Sequence, residues 1–234
     1  MLKKSLGQNF LQDHNILRKE VSLADVAGKI VLEIGPGDGR LTEKILDKKP
    51  KKLIVVEKDT QFIELLIETF PDVEVVEADF LEYEMPKVDV VFGNIPYYIS
   101  SPIIFKLKDY QFDKAVLMVQ KEFAEKMVAK PNESNYGRLS VTSQIFFKVK
   151  LIQTVPAHLF VPKPKVDSAI IVLEPTGVKL TEDQENLIRI LFSQKNKTVR
   201  AALKKKMDSA KFEKFLDRRI RTLTRDDVLE LLSV

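Results

Sequence analysis

The chain has 234 residues, with 38 Lys or Arg, 34 Asp or Glu, two His, no cysteine and a formal net charge of +4. That length allows one sizeable core plus a small appendage, and the lack of cysteine excludes disulfides, thiolate metal sites and cysteine nucleophiles. With His14 and His158 as the whole histidine complement, a histidine-rich metal cluster is excluded too; most hydrolytic chemistry goes with it, and no metal is expected.

Helical spacing of apolar residues predicts a helix over 13–24, followed by a strand at Ile30 to Leu32. Glu33-Ile34-Gly35-Pro36-Gly37-Asp38-Gly39 then leads into a helix over 40–48. Glycines at 35, 37 and 39 let the backbone pass close to a bound nucleoside, and the next helix offers its N-terminal NH groups. A dinucleotide fingerprint wants its third glycine three positions after the second, where this chain has Arg40. The spacing therefore favours S-adenosylmethionine over NAD.

The strand Lys52 to Val56 ends in Glu57, a helix follows over 60–69, and the strand Val73 to Glu77 is followed by Asp79. In an open α/β sheet the ligand lies outside the strand C-termini, so Glu57 can accept from both ribose hydroxyls and Asp79 from an adenine amine. The next apolar run, Val88 to Phe92, leads into Asn94-Ile95-Pro96-Tyr97. The exocyclic amine of adenine is a poor nucleophile because its lone pair is delocalised into the ring. The Asn94 side-chain oxygen and the Ile95 carbonyl can accept from such an NH2 group, Pro96 leaves one backbone donor fewer nearby, and Tyr97 offers a flat face for a base. Methyl transfer onto an amino group is the chemistry this pattern points to.

Helices over 101–108 and 121–129 flank a strand near 115, and strands at Lys150 to Val155 and Ala169 to Leu173 close the region. Between those two lies the proline-rich stretch Pro156 to Pro164, which carries Phe160. The alternation predicts an α/β protein, with a doubly wound, Rossmann-like class I methyltransferase sheet over 1–175. Pro175-Thr176-Gly177 marks a boundary, and 176–234 is expected to form a small basic helical RNA-binding domain. Its last helix is announced by Thr224 and Asp227, spaced as a capping box. Between Ser193 and Arg225 twelve Lys or Arg stand against three acids, a local +9 that leaves −5 for the rest of the chain. Lys195, Lys197, Arg200, Lys204, Lys205 and Lys206 are accordingly expected to meet RNA phosphates.

Taken together, these residues resemble the KsgA-type rRNA adenine N6,N6-dimethyltransferases. The resemblance rests on Gly7-Gln8-Asn9-Phe10-Leu11, the glycine turn, Glu57, Asp79, Asn94 to Tyr97, and Phe160-Val161-Pro162-Lys163-Pro164-Lys165-Val166-Asp167-Ser168. It covers roughly residues 3 to 205, and the wording of Gln120 to Lys130 and Arg138 to Gln144 is similar to the archaeal and eukaryotic branch. It implies that Asn9, Leu11, Gly35, Glu57, Asp79 and Asn94 contact the methyl donor S-adenosylmethionine, with Gln8, Gly37 and Phe80 completing that set. It further implies that Tyr97 and Phe160 bracket a flipped base, so that Asn94, Ile95, Pro96, Tyr97 and Phe160 form the catalytic set. The implied reaction is dimethylation of two adjacent adenosines in a hairpin loop near the 3′ end of small-subunit rRNA, with the pre-small ribosomal subunit as partner.

The Erm methyltransferases of large-subunit rRNA share nearly all these motifs, and a ribosome assembly factor with incidental catalysis is a further alternative. A DNA adenine methyltransferase would more typically show Asp-Pro-Pro-Tyr or Asn-Pro-Pro-Tyr, which Ile95 argues against. No apolar run approaches a membrane span, and Met1-Leu2-Lys3-Lys4-Ser5 lacks the apolar stretch of a secretory signal. A cytoplasmic monomer without a membrane partner is the expectation.

Overall fold

The structure is a computed structural model and describes residues 9–203 and 210–233. The chain divides into two compact units: residues up to Ala124 together with Lys150–Pro175, and Glu125–Val149 together with Thr176–Val234.

The strands are β1 (Phe10–Leu11), β2 (Ile30–Ile34), β3 (Lys52–Glu57), β4 (Glu74–Glu77), β5 (Val90–Asn94), β6 (Lys114–Gln120), β7 (Phe147–Val155), β8 (Phe160–Val161) and β9 (Ser168–Pro175). Seven of them form one sheet in the order β4-β3-β2-β5-β6-β9-β7. The pairs β2–β3, β3–β4, β2–β5 and β5–β6 are parallel, and β9 runs antiparallel to β6. Parallel strands covered on both faces read as continuous apolar runs, and Val31, Leu32, Val55, Val91, Phe92, Val116 and Leu117 are all buried. From β2 the chain winds outward through β3 and β4, then returns to place β5 on the other side of β2. That reversal opens a crevice beyond the C-terminal ends of β2 and β5, which is where ligands bind in open α/β sheets.

The helix α1 (His14–Val21) begins at Asp13, whose side chain accepts from the backbone NH of Asn15 at 2.8 Å and of Ile16 at 3.0 Å. Its inward face buries Leu17, Glu20 and Val21. The helices α2 (Arg40–Leu46), α3 (Thr60–Thr69) and α4 (Ser100–Leu107) follow β2, β3 and β5, as doubly wound connections require. A two-stranded antiparallel ladder lies outside the main sheet: β1 pairs with β8, with Phe10 opposite Val161 and Leu11 opposite Phe160.

The α5 helix (Lys121–Val128) crosses the division after Ala124. In the second unit, α6 (Arg138–Phe146), which the sequence did not announce, packs against α7 (Glu182–Phe192) and α9 (Arg225–Leu232), and α8 (Val199–Leu203) follows α7. The segment 125–149, which carries α6 and the first residues of β7, thus groups with the C-terminal residues, where the sequence suggests one domain over 1–175. The physical reason is bonding between residues far apart in the chain. The Tyr136 hydroxyl, whose pKa burial pushes up to about 12, donates to the Leu223 carbonyl at 2.6 Å. Its ring meets Phe192 edge-on, with centroids 5.9 Å apart. Asn132 NH also donates to the Arg221 carbonyl at 2.9 Å. Tyr136→Phe should therefore lower the stability of this unit by about 1–2 kcal/mol, because it strands a buried carbonyl. Denaturant unfolding measures this, and an unchanged midpoint would contradict the assignment. The capping box is present: Asp227 NH donates to Thr224 Oγ1 at 3.1 Å and Thr224 NH to Asp227 Oδ2 at 2.8 Å. Among the described residues no helix is long and apolar enough to cross a membrane.

Candidate active site

One cavity of about 190 Å³ sits at the strand C-termini of the first unit. It is lined by Asn9 and Leu11 of the N-terminal motif, the turn from Glu33 to Asp38, Glu57, Asp79, Phe80, Asn94 to Tyr97, and Phe160. Every described residue expected to contact donor or base is thus brought to a single space. Gln8, like Lys204, Lys205 and Lys206, lies outside the described residues.

The turn after β2 is built around Gly37, with φ +54°. Its NH donates to Glu57 Oε2 at 3.0 Å, and a Cβ there would come within 2.6 Å of the Phe10 ring. Only glycine fits both the left-handed backbone and the aromatic contact. Glu57 is buried at the end of β3, where its Oε1 accepts from the NH groups of Lys58 and Asp59, each at 2.8 Å. Three backbone donors therefore hold this carboxylate rigidly at the cavity wall.

Asp79 follows β4. Its Oδ1 accepts from Leu81 NH at 2.9 Å and its Oδ2 pairs with the Lys58 ammonium, which holds the Asp79 carboxyl below the usual range. Lys58 is largely exposed, so this pair lies at the rim. Beside it the buried Phe80 ring carries Lys106 Nζ 5.5 Å from its centroid.

Asn94 ends β5. Ile95 NH donates back to the Met118 carbonyl at 3.0 Å, and a short 3-10 turn over Tyr97–Ile99 carries the chain into α4. The Tyr97 hydroxyl shares a hydrogen bond of 2.8 Å with Ser168 Oγ, and burial raises its pKa. Phe160 is buried, placed by the β1–β8 ladder and by Gln12 NH donating to the Leu159 carbonyl at 2.8 Å. The proline-rich stretch is also tied down at Ala157, whose NH donates to Asp167 Oδ1 at 3.0 Å.

Two acids that the sequence left without a role prove central. Glu33, in β2, is buried and accepts from Thr42 Oγ1 at 2.7 Å; burial, opposed by that hydrogen bond, pushes its pKa up to about 8. Glu20, fully buried on α1, is raised well above the carboxylate range by burial and then by Glu33. The signal for Glu20 was present in the sequence, since it is an acid on the same helical stripe as Leu17 and Val21. Both groups bind protons more tightly folded than unfolded. Their contribution is therefore fully present below the ordinary carboxylate value of 4.5 and is lost as pH rises above it, for Glu33 as pH approaches about 8. Ligand-free protein should lose stability on the order of 2–4 kcal/mol between about pH 5 and 8, and Glu33→Gln should flatten much of that slope. Denaturant midpoints across this range provide the check; parallel profiles for the two proteins would contradict it.

The basic residues of the second unit divide. Lys195 Nζ donates to the carbonyls of Ser134 and Tyr136, both at 2.9 Å, and Arg200 makes a two-point pair with Asp217 at 3.0 and 3.1 Å. Lys197 is exposed. Charge density in a sequence does not distinguish cations that brace the fold from cations that face solvent. No group of three or more acids and histidines suited to a metal ion occurs among the described residues.

The family model for ribosomal RNA adenine dimethylase matches residues 1–233. A probable ribosomal RNA small subunit methyltransferase A of Thermococcus kodakarensis is 40% identical over 97% of this chain and 88% of its own length. The ribosomal RNA small subunit methyltransferase A of Pelagibacter ubique is 42% identical, over 89% of this chain and 85% of its own. Among solved structures, a dimethyladenosine transferase from Plasmodium falciparum superposes with a TM-score of 0.87 at 35% identity, covering 96% of both chains. The 23S rRNA methyltransferase ErmE gives 0.74 at 28% identity, covering 96% of this chain and 98% of that one. With a cavity that gathers the expected residues and relatives that span nearly its whole length, the chain belongs to the ribosomal RNA adenine dimethylase family.

Proposed function

We propose that the chain methylates N6 of two adjacent adenosines, twice each, in a hairpin loop near the 3′ end of small-subunit rRNA, as a cytoplasmic monomer acting during subunit assembly. The observation that carries this reading is the placement of Asn94 to Tyr97 on one cavity with Glu57 and the glycine turn. S-adenosylmethionine, when bound, supplies a methyl group on a sulfonium that is already a good leaving group. The protein's part is thus to bind, orient and exclude water, with no covalent enzyme intermediate.

The wall residues fit such a donor. Glu57 keeps lone pairs for ribose hydroxyls beyond the three it gives to backbone NH groups. The ionised Asp79 is suited to accept from the donor's adenine amine beside Phe80, and Gly35 and Gly37 with Asn9 and Leu11 enclose the remainder. Asn94 Oδ1 and the Ile95 carbonyl accept from the target amine, so that its lone pair is presented and its protons are held. Tyr97, fixed by Ser168, and Phe160 supply the stacking faces for a base rotated out of its helix.

Lys197, Lys204, Lys205 and Lys206 together with the exposed Arg200 are the set that meets RNA phosphates, and Lys195, bonded to the Ser134 and Tyr136 carbonyls, braces the segment beside them. Small-subunit rRNA is favoured because the relatives at 40% and 42% identity are named for that subunit, whereas ErmE, at 28% identity, is named for 23S rRNA. Labelled-donor methylation of small- against large-subunit precursor RNA separates the two. Incorporation confined to small-subunit RNA is expected, and incorporation confined to large-subunit RNA would overturn the proposal.

A further inference from the structure

The orientation of the Asn94 amide follows from its neighbours. Turned with its nitrogen toward α1, it donates to Glu20 Oε1 at 2.8 Å and Oε2 at 3.3 Å; turned the other way, it would set its oxygen against both. Glu20 is fully buried, outside the cavity wall, behind Asn94. The charge acting on it, that of Glu33, has the same sign as its own, and among the described residues no cation stands against it. A carboxyl buried without a cation is costly to the fold, so its retention calls for a task.

The task is set by the symmetry of an amide. Its oxygen and nitrogen ends are almost the same size, and rotation by half a turn exchanges an acceptor for a donor. A target amine met by the Asn94 NH2 would face donor against donor. Burial and Glu33 raise the Glu20 pKa, so it is the ionised form, reached as pH rises and favoured by donation from Asn94, that can only accept and that selects the rotamer directing the amide oxygen the other way. We propose that Glu20 is a positioning residue that fixes the Asn94 side chain with its oxygen toward the substrate amine. This rests on the reading of Asn94 as the amine acceptor. Glu20 thus joins α1 to a site built from strand ends and the β1–β8 ladder, at a cost in stability that is returned as orientation.

The test uses full-length Glu20→Leu and Glu20→Gln with three readouts. Removal of a buried acid that lacks a cation should leave the melting temperature at about pH 8 unchanged or raised. Single-turnover methylation at saturating donor and RNA should nevertheless fall about tenfold or more for Glu20→Leu, with donor affinity held within about threefold. Glu20→Gln keeps an acceptor of the same shape but can also donate, so its rate should fall between those of Glu20→Leu and the wild type. Hydrogen exchange of the Asn94 side-chain amide should be slow in the wild type and fast in Glu20→Leu, a readout that does not depend on activity. Wild-type turnover in folded Glu20→Leu overturns the proposal, as does fast exchange at Asn94 in the wild type. If Glu20→Leu fails to fold, wild-type turnover in Glu20→Gln overturns it equally. A wild-type protein that shows the protected Asn94 amide but methylates no adenosine would count against the functional reading and leave the Glu20 contact standing.

Discussion

Replacement of Asn94 by alanine is expected to lower single-turnover methylation at saturating donor and RNA by a factor of about a hundred or more. The side chain stands at the end of β5 on the cavity wall, and in the proposed reaction its acceptor oxygen holds a proton of the target amine while the lone pair turns toward the methyl group. That interaction matters most where positive charge develops on the nitrogen, so its loss falls on the chemical step. Phe160→Ala, by contrast, removes a stacking face without touching the amine and should chiefly weaken productive RNA engagement. Asn94→Ala leaves the carboxyl of Glu20 without its donor as well, so melting temperature and donor affinity must be recorded alongside the rate. A folded Asn94→Ala protein with wild-type single-turnover rate would remove Asn94 from the reacting centre.

The second large effect is expected at Glu57. Glu57→Ala should weaken donor binding by about 1–3 kcal/mol, through loss of charged hydrogen bonds to the ribose. The fold adds a second route to the same loss. The carboxylate also ties Gly37 NH to the start of the loop after β3, so the alanine variant frees the NH groups of Gly37, Lys58 and Asp59 together. Glu57→Gln separates the two routes, because its amide oxygen can still accept from part of that set while the charge is gone. Calorimetric titration with S-adenosylmethionine decides the matter. Unchanged affinity in folded Glu57→Ala would place the ribose elsewhere.

The sheet was legible because buried parallel strands leave continuous apolar runs, such as Leu53 to Val56 in β3 and Val90 to Phe92 in β5. Glu57, Asp79 and Asn94 stand at strand ends or just beyond them, and their shared cavity then follows from the topology. What escaped the sequence depends on partners far along the chain. The two-residue strands β1 and β8 exist only as each other's partners, joining Phe10 to Val161. The helix α6 hides its periodicity by burying Ser140 and Ser143 among its apolar residues, and the grouping of 125–149 with the C-terminal segment is set by contacts such as Tyr136 to Leu223. Glu20 was visible as a misplaced acid, but its meaning lies in Asn94, a residue of another element. Lys195 and Arg200 were visible as charge, and their partners, two backbone carbonyls for Lys195 and the exposed Asp217 for Arg200, appear only in the fold.

The most direct measurement is mass spectrometry of nucleosides from small-subunit rRNA incubated with the purified protein and isotopically labelled S-adenosylmethionine. The account predicts N6,N6-dimethyladenosine carrying two labelled methyl groups, formed by the wild type and strongly reduced with Asn94→Ala. Label on a nucleoside other than adenosine, or no labelled adenosine from a folded protein that binds the donor, would contradict it.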